Sequence, residues 1–269
     1  MKKIIALTLA LLMVVSALFT FSSCGKDKTL TCGVTIIPGL NEKDANGNWT
    51  GFESEFAMEV GKILGMEVEF QEIDWGQKYN ELNSGAIDCV WNGFTANSTD
   101  EDATGKEVKR SDLVDFSYGY MLNQQCIVVK KAELDSYKTA ADLSGKTACV
   151  EAGSAGAAYA KTVTDEAKIS EATAQVKAFT ELKSGAVNFI VVDILLAQNL
   201  CGQADYADLA IVEAIQLESE IYAVGFKKGS ELTAKVNDAI KQLDENGKLM
   251  ELAKKYGYEN VLKVSETIE

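Results

Sequence analysis

The chain has 269 residues, of which 47% are hydrophobic and 25% charged, and its net charge is −14. This composition is typical of a globular protein large enough for two modest domains, and its acidity argues against nucleic-acid binding because phosphates would be repelled. The chain contains no histidine, which excludes Ser-His-Asp and Cys-His nucleophile systems and histidine metal ligands. An enzyme would have to use Asp, Glu, Lys or Tyr.

The N-terminal residues 1–23 have the layout of an export signal, with two lysines before an apolar run that ends at Phe21. The following Ser-Ser-Cys24 resembles the lipobox of bacterial lipoproteins, in which cleavage exposes a cysteine that carries lipid. We predict a signal peptide, a lipid on Cys24 and a short tether over 24–28, which would hold the protein outside the cytoplasm at the membrane. Cleavage by signal peptidase I and an uncleaved anchor are the alternatives.

The next elements alternate between strand and helix. The segments "TLTCGVTII" (29–37), "ESEFAMEVGKILG" (53–65) and "MEVEFQEID" (66–74) predict a strand, an amphipathic helix and a second strand. Between them, "DANGNWTGFESE" (44–55) has calcium-loop spacing, but Trp49 stands where the sharp turn needs glycine, so we predict a polar hairpin.

A repeat at an offset of one hundred residues indicates two units of alternating strands and helices. Residues 79–95, "YNELNSGAIDCVWNGFT", share five identities with residues 179–195, "FTELKSGAVNFIVVDIL". Each copy predicts a helix end, a glycine stop and a buried strand. The second unit adds a strand in "GKTACVEA" (145–152) and a helix in "SAGAAYAKTVTDEA" (154–167). Alternating β and α elements predict parallel sheets with helices on their faces.

The ends of the repeated strands predict a ligand site, because ligands of open parallel sheets lie beyond the carboxyl ends of the strands. The first strand leads into Asn92, Gly93 and Thr95, and the second leads into Asp193. The segment "VEAGSAGAA" (150–158) adds a glycine-bearing loop at a helix start, whose N–H groups can hold an anion.

Two segments connect the units, and the tail predicts two more helices. Residues 123–131 leave the first unit, 219–229 look like a returning strand, and an amphipathic pair with Gly247 between its helices follows. We predict an α/β protein with two lobes, 29–122 with 223–269 and 123–222, joined by a two-strand hinge.

One basic residue differs from the other 25, because Arg110 is the only arginine in the chain. Its planar fork grips a carboxylate through two parallel hydrogen bonds, which lysine does less well. The acidic run 98–107 before it is predicted to be a solvated loop. Glu218 and Glu220 are predicted to lie on the surface, with a position lining the ligand site as the alternative. Four cysteines occupy apolar strand-like runs and are predicted to be buried small residues: Cys32, Cys89, Cys126 and Cys149.

Taken in order, several motifs resemble one family. They are "NWTGFESEFAMEVGKILG", "IDCVWNGFT", "RSDLVDFS", "LSGKTACVEAGS", "VVDILLAQ" and the tail "YAVGFKKGSELTAKVNDAIKQLDENGKLMELAKKYG". The set resembles the family 3 solute-binding proteins of polar amino-acid ABC transporters, from about Leu30 to Gly257. The resemblance implies a two-lobed fold of the periplasmic-binding-protein-like type II class. The stretch from Thr95 to Arg110 is longer than is usual in the family.

The resemblance also implies roles for residues. Arg110 would grip the α-carboxylate of an amino acid, and Asp193 would take its α-ammonium. Backbone and side-chain groups of the two loops would complete the contacts: Asn92, Gly93, Thr95, Ser154 and Ala155. Trp75 falls where the family places an aromatic over the ligand side chain, with a core position as the alternative. The same alternatives hold for Trp91. At the positions that often carry an acid and a second aromatic, this chain has Thr35 and Glu42, so the preferred amino acid stays open.

The main hypothesis is therefore a monomeric, lipid-anchored binding protein that captures an amino acid and delivers it to the permease of an ABC importer, without cofactor or metal. A cyclohexadienyl-dehydratase-like carboxy-lyase on the same fold is the alternative. A sensor ectodomain is less favoured, since no transmembrane helix or signalling module follows the lobes in this sequence.

Overall fold

The computed structural model describes residues 29–268. The predicted signal peptide, Cys24 and the whole tether lie outside the described residues. Within residues 29–268, no helix combines the length and the apolar character needed to cross a membrane.

The secondary structure alternates as predicted. The strands, in chain order, are β1 (Thr29–Val34), β2 (Glu42–Lys43), β3 (Trp49–Thr50), β4 (Glu67–Glu72), β5 (Cys89–Val90), β6 (Thr99–Glu101), β7 (Glu107–Lys109), β8 (Val114–Phe116), β9 (Gly119–Lys130), β10 (Ala148–Glu151), β11 (Ile169–Ala172), β12 (Phe189–Asp193), β13 (Leu209–Ile211), β14 (Ser219–Tyr222), β15 (Gly225–Lys227) and β16 (Leu262–Ser265). The α-helices are α1 (Phe52–Leu64), α2 (Lys78–Ser84), α3 (Arg110–Leu113), α4 (Ala155–Val163), α5 (Gln175–Ser184), α6 (Ile194–Leu200), α7 (Leu232–Glu245) and α8 (Lys248–Tyr256). Short 3₁₀ helices cover Trp75–Gln77, Lys131–Ser136, Ala140–Leu143, Glu166–Lys168 and Ala204–Tyr206.

In the described part of the chain, the first sheet has five strands in the order β4-β1-β5-β15-β8. β1 pairs in parallel with β4 and with β5, as expected for strands separated by helices. β15 is antiparallel to both β5 and β8. Helix α1 packs against the tail helices α7 and α8, with Phe56, Val60, Val236 and Ile240 fully buried in the core.

The second sheet is built around β10, which pairs in parallel with β11 and β12. The long strand β9 runs antiparallel to β12 and β13 through its second half. Its first half pairs with β14 and β16. β9 and β14 therefore lead from one sheet to the other, and the carboxyl ends of the parallel strands of both sheets face the junction.

The repeat forms the same local structure twice. Helices α2 and α5 each end at a left-handed glycine, Gly85 with φ 77° and Gly185 with φ 82°. The glycine N–H groups close the helices by donating to carbonyls of the last turn, and β5 or β12 follows. The helix-glycine-strand prediction is confirmed in both copies.

Three predictions differ in detail or were wrong. The returning segment 219–229 divides into β14 and β15, because the chain changes sheet at Ala223 and Val224. The run 98–107 is not simply a solvated loop: β6 and β7 pair as a hairpin, with Asp102 accepting backbone N–H groups at its turn. Glu220 is 8% exposed rather than on the surface, because β14 lies at the junction of the sheets, whereas Glu218 is exposed as predicted.

The structure also places Asp44, Trp91 and the four cysteines of the apolar runs. Asp44 sits in a polar hairpin between β2 and β3, where it accepts the N–H groups of Asn46 and Asn48. Trp91 lies in the core with its ring edge-on to Phe56 at a centroid distance of 5.0 Å. The four cysteines of apolar runs are buried: Cys32, Cys89, Cys126 and Cys149.

Candidate functional site

A small cavity of about 10 Å³, roughly the space of one water molecule, lies at the junction of the two sheets. All eight predicted ligand-site residues line it, together with three polar residues that sequence reasoning had not singled out. The lining residues are Trp75, Asn92, Gly93, Thr95, Arg110, Gln125, Glu151, Ser154, Ala155, Gln175 and Asp193. Residues more than one hundred positions apart thus meet at the ends of β5, β10 and β12.

Arg110 begins the short helix α3, directly after the hairpin β6–β7, and is 1% exposed. Its Nη1 donates to the carbonyl of Thr95 at 3.1 Å, and its Nη2 donates to the carbonyl of Gly153 at 3.2 Å. The guanidinium carbon lies 5.3 Å from the centre of the Phe94 ring. The contact with Thr95 lies within the first sheet unit, and the contact with Gly153 crosses to the loop after β10.

A second buried cation, Lys78, lies beside Arg110 and was missed, because a lysine at a helix start is usually a surface residue. Its Nζ donates to the Gly153 carbonyl at 2.9 Å and lies 3.1 Å from an Asp100 carboxylate oxygen. Burial and the Arg110 charge lower the pKa of Lys78 to about 8.

Asp100 on β6 is the carboxylate partner of both cations, since its Oδ2 also lies 3.7 Å from Arg110 Nε. The Tyr79 hydroxyl donates to the same oxygen at 3.1 Å. Burial alone would raise the pKa of Asp100, but the charges of Lys78 and Arg110 lower it below its usual value. The acidic insertion therefore delivers one carboxylate to the cations behind the cavity.

Asp193 ends β12 and is 3% exposed. Its carboxylate accepts hydrogen bonds from three side-chain amides, those of Asn123 at 3.0 Å, Gln125 at 2.5 Å and Gln175 at 2.5 Å. Burial raises its pKa even though these amides stabilise the charged form. Within the described residues, no Lys or Arg forms an ion pair with Asp193.

Glu220 lies next to Asp193 and shares its amide donors. It accepts hydrogen bonds from the Thr95 hydroxyl at 3.1 Å and from the amides of Asn123 and Gln125 at 2.6 to 3.2 Å. Burial and the Asp193 charge raise its pKa to about 7. The two neighbouring carboxyl groups therefore resist being ionised together.

The loop after β5 is held by fixed hydrogen bonds. The Asn92 amide donates to the Thr35 hydroxyl at 2.7 Å, and the Gly93 N–H donates to Glu53 at 2.8 Å. Gly93 has φ 57°, and a Cβ at this position would lie 3.0 Å from the Tyr222 ring, so the turn requires glycine. With its hydroxyl bound to Glu220 and its carbonyl to Arg110, Thr95 joins both charged sides of the cavity.

The loop after β10 caps helix α4. The Ser154 hydroxyl accepts the N–H of Ala157 at 3.0 Å, which is the helix N-cap contact. The Ser154 N–H donates to the Glu151 carbonyl at 3.2 Å. The Ser154 N–H is thus used within the loop, and the expectation that Ser154 and Ala155 offer N–H groups to a ligand stays a prediction.

Trp75 closes one side of the cavity and is 4% exposed. It packs edge-on against Phe94 at a centroid distance of 5.3 Å, and the Lys78 ammonium lies 5.2 Å from its ring centre. It therefore belongs to both the packed interior and the cavity wall.

Among the residues that sequence reasoning missed, Gln125 and Gln175 had no local signal, because their partner Asp193 is distant in sequence. Glu151 had one, since an acid at the end of a buried strand and before a glycine loop is unusual.

Comparison with known proteins places this geometry among related chains. The family model of bacterial extracellular solute-binding proteins, family 3, matches residues 30–259. The arginine-binding extracellular protein of Bacillus subtilis (strain 168) is 29% identical over 259 residues, which cover 91% of this chain and 96% of that protein. The L-cystine-binding protein TcyA of the same strain is 31% identical over 248 residues, which cover 90% of this chain and 86% of that protein.

A solved structure titled an ancestral arginine-binding protein bound to glutamine has a TM-score of 0.75 and 33% identity. The match covers 86% of this chain and 99% of that chain. Sequence and fold thus agree over almost all of the described residues, and the predicted fold class, a two-lobed periplasmic-binding-protein-like type II fold, is confirmed.

Proposed function

Because this chain belongs to the bacterial extracellular solute-binding proteins of family 3, we propose that it captures an α-amino acid in its cavity and delivers it to the permease of an ABC importer. The relatives that bind arginine and cystine support an amino acid as the solute. The proposal rests chiefly on the charges of the cavity.

The observation that carries the proposal is that Arg110 and Asp193 both line the same cavity. Arg110 supplies a buried guanidinium on one side, and Asp193 supplies a buried carboxylate on the other. Asp193 has amide donors but no ion-pair partner among the described residues, so it is suited to a cation. A zwitterion presents one charge of each sign and would satisfy both groups where water is excluded.

The roles follow from the charge and the position of each group at the cavity. The guanidinium would hold the α-carboxylate, helped by the N–H of Ala155 at the start of α4, and Asp193 would hold the α-ammonium. Asn92, Gly93 and Thr95 would shape the floor of the site, and Trp75 would cover the ligand side chain. Ser154 would act by capping the helix.

Capture would proceed by hinge closure between two lobes, residues 29–122 with 223–269 and residues 123–222. A ligand that contacts both lobes favours the closed arrangement, because only contacts that differ between states can shift their balance. The bonds from Lys78 and Arg110 to the Gly153 carbonyl already join the two sides and would act together with the ligand.

The test is a thermal-shift screen of the chain from residue 25 onward against the twenty amino acids, dicarboxylates and short peptides. A ligand raises stability in proportion to ln(1 + [L]/Kd), so a tight ligand stands out. We expect a large shift with one or a few α-amino acids and its loss in Arg110→Lys and Asp193→Asn. Asp115→Asn is the matched control, because Asp115 accepts bonds from Lys228 and Gly229 far from the cavity. Shifts that survive both site changes would refute the assigned roles.

The N-terminal features are further parts of the proposal. A lipid on Cys24 would anchor the protein outside the cytoplasm, where it would act as a monomer beside its permease. Metabolic labelling with a radioactive fatty acid tests the anchor: label is expected on the full chain and not on Cys24→Ala. Label on both proteins would contradict it.

A second candidate is a cyclohexadienyl-dehydratase-like carboxy-lyase, and Glu151 is the observation that favours it. Burial and the Asp193 charge raise the pKa of Glu151 to about 8, so at neutral pH this group holds a proton that it could give to a leaving hydroxide. Incubation with a cyclohexadienyl carboxylic acid, followed by ultraviolet absorbance, distinguishes the candidates. We expect no aromatic product, and its formation would favour the enzyme.

A further inference from the structure

Glu151 is the one carboxylate at the cavity whose place the proposed binding of a zwitterion does not explain. It is the last residue of β10, is 2% exposed, and lines the cavity together with Trp75 and Asp193. The α-carboxylate and α-ammonium of an amino acid are matched by Arg110 and Asp193, so Glu151 is a third charged group without a role.

Among the described residues, one of its two carboxylate oxygens has no hydrogen-bond donor, although the backbone N–H of Gln175 donates to the carboxyl group. Within residues 29–268, no group donates a hydrogen bond to the buried Oε1 of Glu151. The cations nearby are otherwise engaged, since Lys78 binds Asp100 and the Gly153 carbonyl. Arg110 donates to Thr95 and to the same Gly153 carbonyl. Burying a carboxyl oxygen costs free energy unless that oxygen receives a hydrogen bond or an ion-pair partner.

Another buried glutamate shows what a purely structural acid looks like in this fold. Glu53 is fully buried, yet its oxygens accept from Asn41, from the Gly93 N–H and from the Tyr120 hydroxyl. The two acids are similarly buried, but both oxygens of Glu53 have donors, whereas Oε1 of Glu151 has none within the described part of the chain. The difference points to a partner for Glu151 that comes from the ligand.

We propose that Glu151 determines specificity by binding a second positive charge, carried by the side chain of the ligand. The inference rests on the proposed function, because the α-carboxylate and α-ammonium must be held by Arg110 and Asp193 for the side chain to reach β10. The ligand class is then an α-amino acid with a side-chain ammonium or guanidinium, such as lysine, ornithine or arginine.

The balance of charge supports this class. Among the described residues that line the cavity, Arg110 is the sole cation, and Asp193 and Glu151 are the acids. A neutral zwitterion leaves Glu151 without a partner. A side-chain cation beside Glu151 would instead favour its carboxylate form, so that each acid lining the cavity is paired with a positive charge. The neighbouring Trp75 ring adds a face suited to an alkyl stem or a guanidinium.

The experiment measures affinity by isothermal titration calorimetry for lysine, ornithine, arginine, glutamine and norleucine. Norleucine matches the lysine side chain without its ammonium. We expect the wild-type protein to bind its best cationic ligand at least about tenfold more tightly than norleucine or glutamine. Glu151→Gln should weaken the cationic ligands by about tenfold or more while changing norleucine and glutamine little. Glu171→Gln is the matched control, because Glu171 is exposed on the neighbouring strand β11.

The outcomes separate this inference from the proposed function. A neutral or acidic amino acid as the tightest ligand, or an unchanged preference for lysine over norleucine in Glu151→Gln, overturns the role of Glu151 and leaves amino-acid binding intact. If none of the twenty amino acids of the thermal-shift screen binds the wild-type protein, the proposed function itself fails. The comparison of ligands in the wild-type protein needs no variant, so it stands even if Glu151→Gln does not fold.

Discussion

Four carboxyl groups in the interior of this protein hold protons more tightly than usual. Burial raises the pKa of Glu53 to about 7, of Glu151 to about 8 and of Glu220 to about 7, and it also raises the pKa of Asp193. In the unfolded chain these groups would titrate near their ordinary values, between about 4 and 4.5. Between roughly pH 5 and pH 8 the folded protein therefore binds more protons than the unfolded chain.

The sign of this linkage gives the first prediction. Because the folded state binds more protons, the free energy of unfolding should fall as pH rises from 5 to 8, so the Tm without ligand should be lower at pH 8 than at pH 5. Circular dichroism melts across this range measure it. Glu151→Gln should flatten the slope, and Glu171→Gln should not. A wild-type Tm that rises from pH 5 to pH 8 would contradict the prediction.

A second residue-scale prediction concerns Trp75. Of the three tryptophans, Trp75 lines the cavity, whereas Trp91 lies in the core and Trp49 packs against Phe70. Ligand capture should therefore change the intrinsic fluorescence through Trp75, and Trp75→Phe should remove most of the change. Trp49→Phe is the control. A full signal that persists in Trp75→Phe would mean that the ligand does not reach this wall.

At the scale of elements, the hairpin β6–β7 contacts the buried cations Lys78 and Arg110 on one side and helix α4 on the other. Its Asp100 pairs with Lys78 and Arg110, and its Glu101 lies 3.6 Å from Lys161 on α4. The hairpin therefore neutralises buried charge at one end and touches the opposite helix at the other. Its turn beyond Asp102 is exposed.

The third prediction compares two acids of this hairpin. Asp100→Asn removes the carboxylate from two buried cations and should lower the free energy of unfolding by about 1–3 kcal/mol. Glu101→Gln, one residue away, removes only a surface ion pair and should change it by less than about 1 kcal/mol. Urea unfolding measures both. Equal effects of the two changes would show that Asp100 does not serve the buried cations.

The repeated helix ends provide a fourth prediction. Gly85 and Gly185 end equivalent helices in the left-handed region, so Gly85→Ala and Gly185→Ala should each cost about 1 kcal/mol. Because the two helices contact strands of different sheets, the double variant should lose about the sum. Chemical denaturation of the three variants tests this. An added Cβ at Gly185 would also come within 2.9 Å of the Lys130 ammonium, which can move aside. A free energy of unfolding unchanged in both single variants would contradict the assigned glycine role.

These elements also show how much of the fold and of the site could be predicted from the sequence. The helix, glycine and strand of each repeat were predictable, because their signals lie within about fifteen consecutive residues. The carboxyl ends of those strands located Asn92, Gly93 and Asp193 for the same reason. Lys78 and Asp100 were not predictable as a pair, since their contact depends on a hairpin folding back over twenty residues. The same holds for Gln125 and Gln175, which acquire their role only through Asp193.

At the scale of the whole molecule, the cavity lies where the chain passes between the sheets. β9 pairs with strands of the second sheet through one half and with β14 through the other, and the chain enters the first sheet at Gly225 directly after β14. Glu220 and the amides of Asn123 and Gln125 lie on these connecting strands. Contacts made by a ligand at Asp193 would thus be linked by hydrogen bonds to the connecting strands, which would bend in the proposed hinge closure.

The strand order of the first sheet has a consequence for the time course of folding. β15 lies between β5 and β8, so this sheet is complete only when residues near the end of the chain have joined it. The main strands of the second sheet are all present once Tyr222 has been made. The first sheet is therefore expected to be completed after these strands of the second sheet have paired, although β16 joins β9 later still. This order differs from the usual N-terminal-first folding of domains during synthesis.

Refolding of the full chain should show the same sequence of events. Pulse-labelled hydrogen exchange is expected to find the amides of β10 and β12 protected before those of β5 and β8, because the latter wait for a strand about 110 residues or more downstream. Earlier protection of β5 and β8 would mean that a transient partner substitutes for β15. A nascent chain of this protein would then spend most of its synthesis with an unfinished first sheet, a state well suited to passage across a membrane before folding.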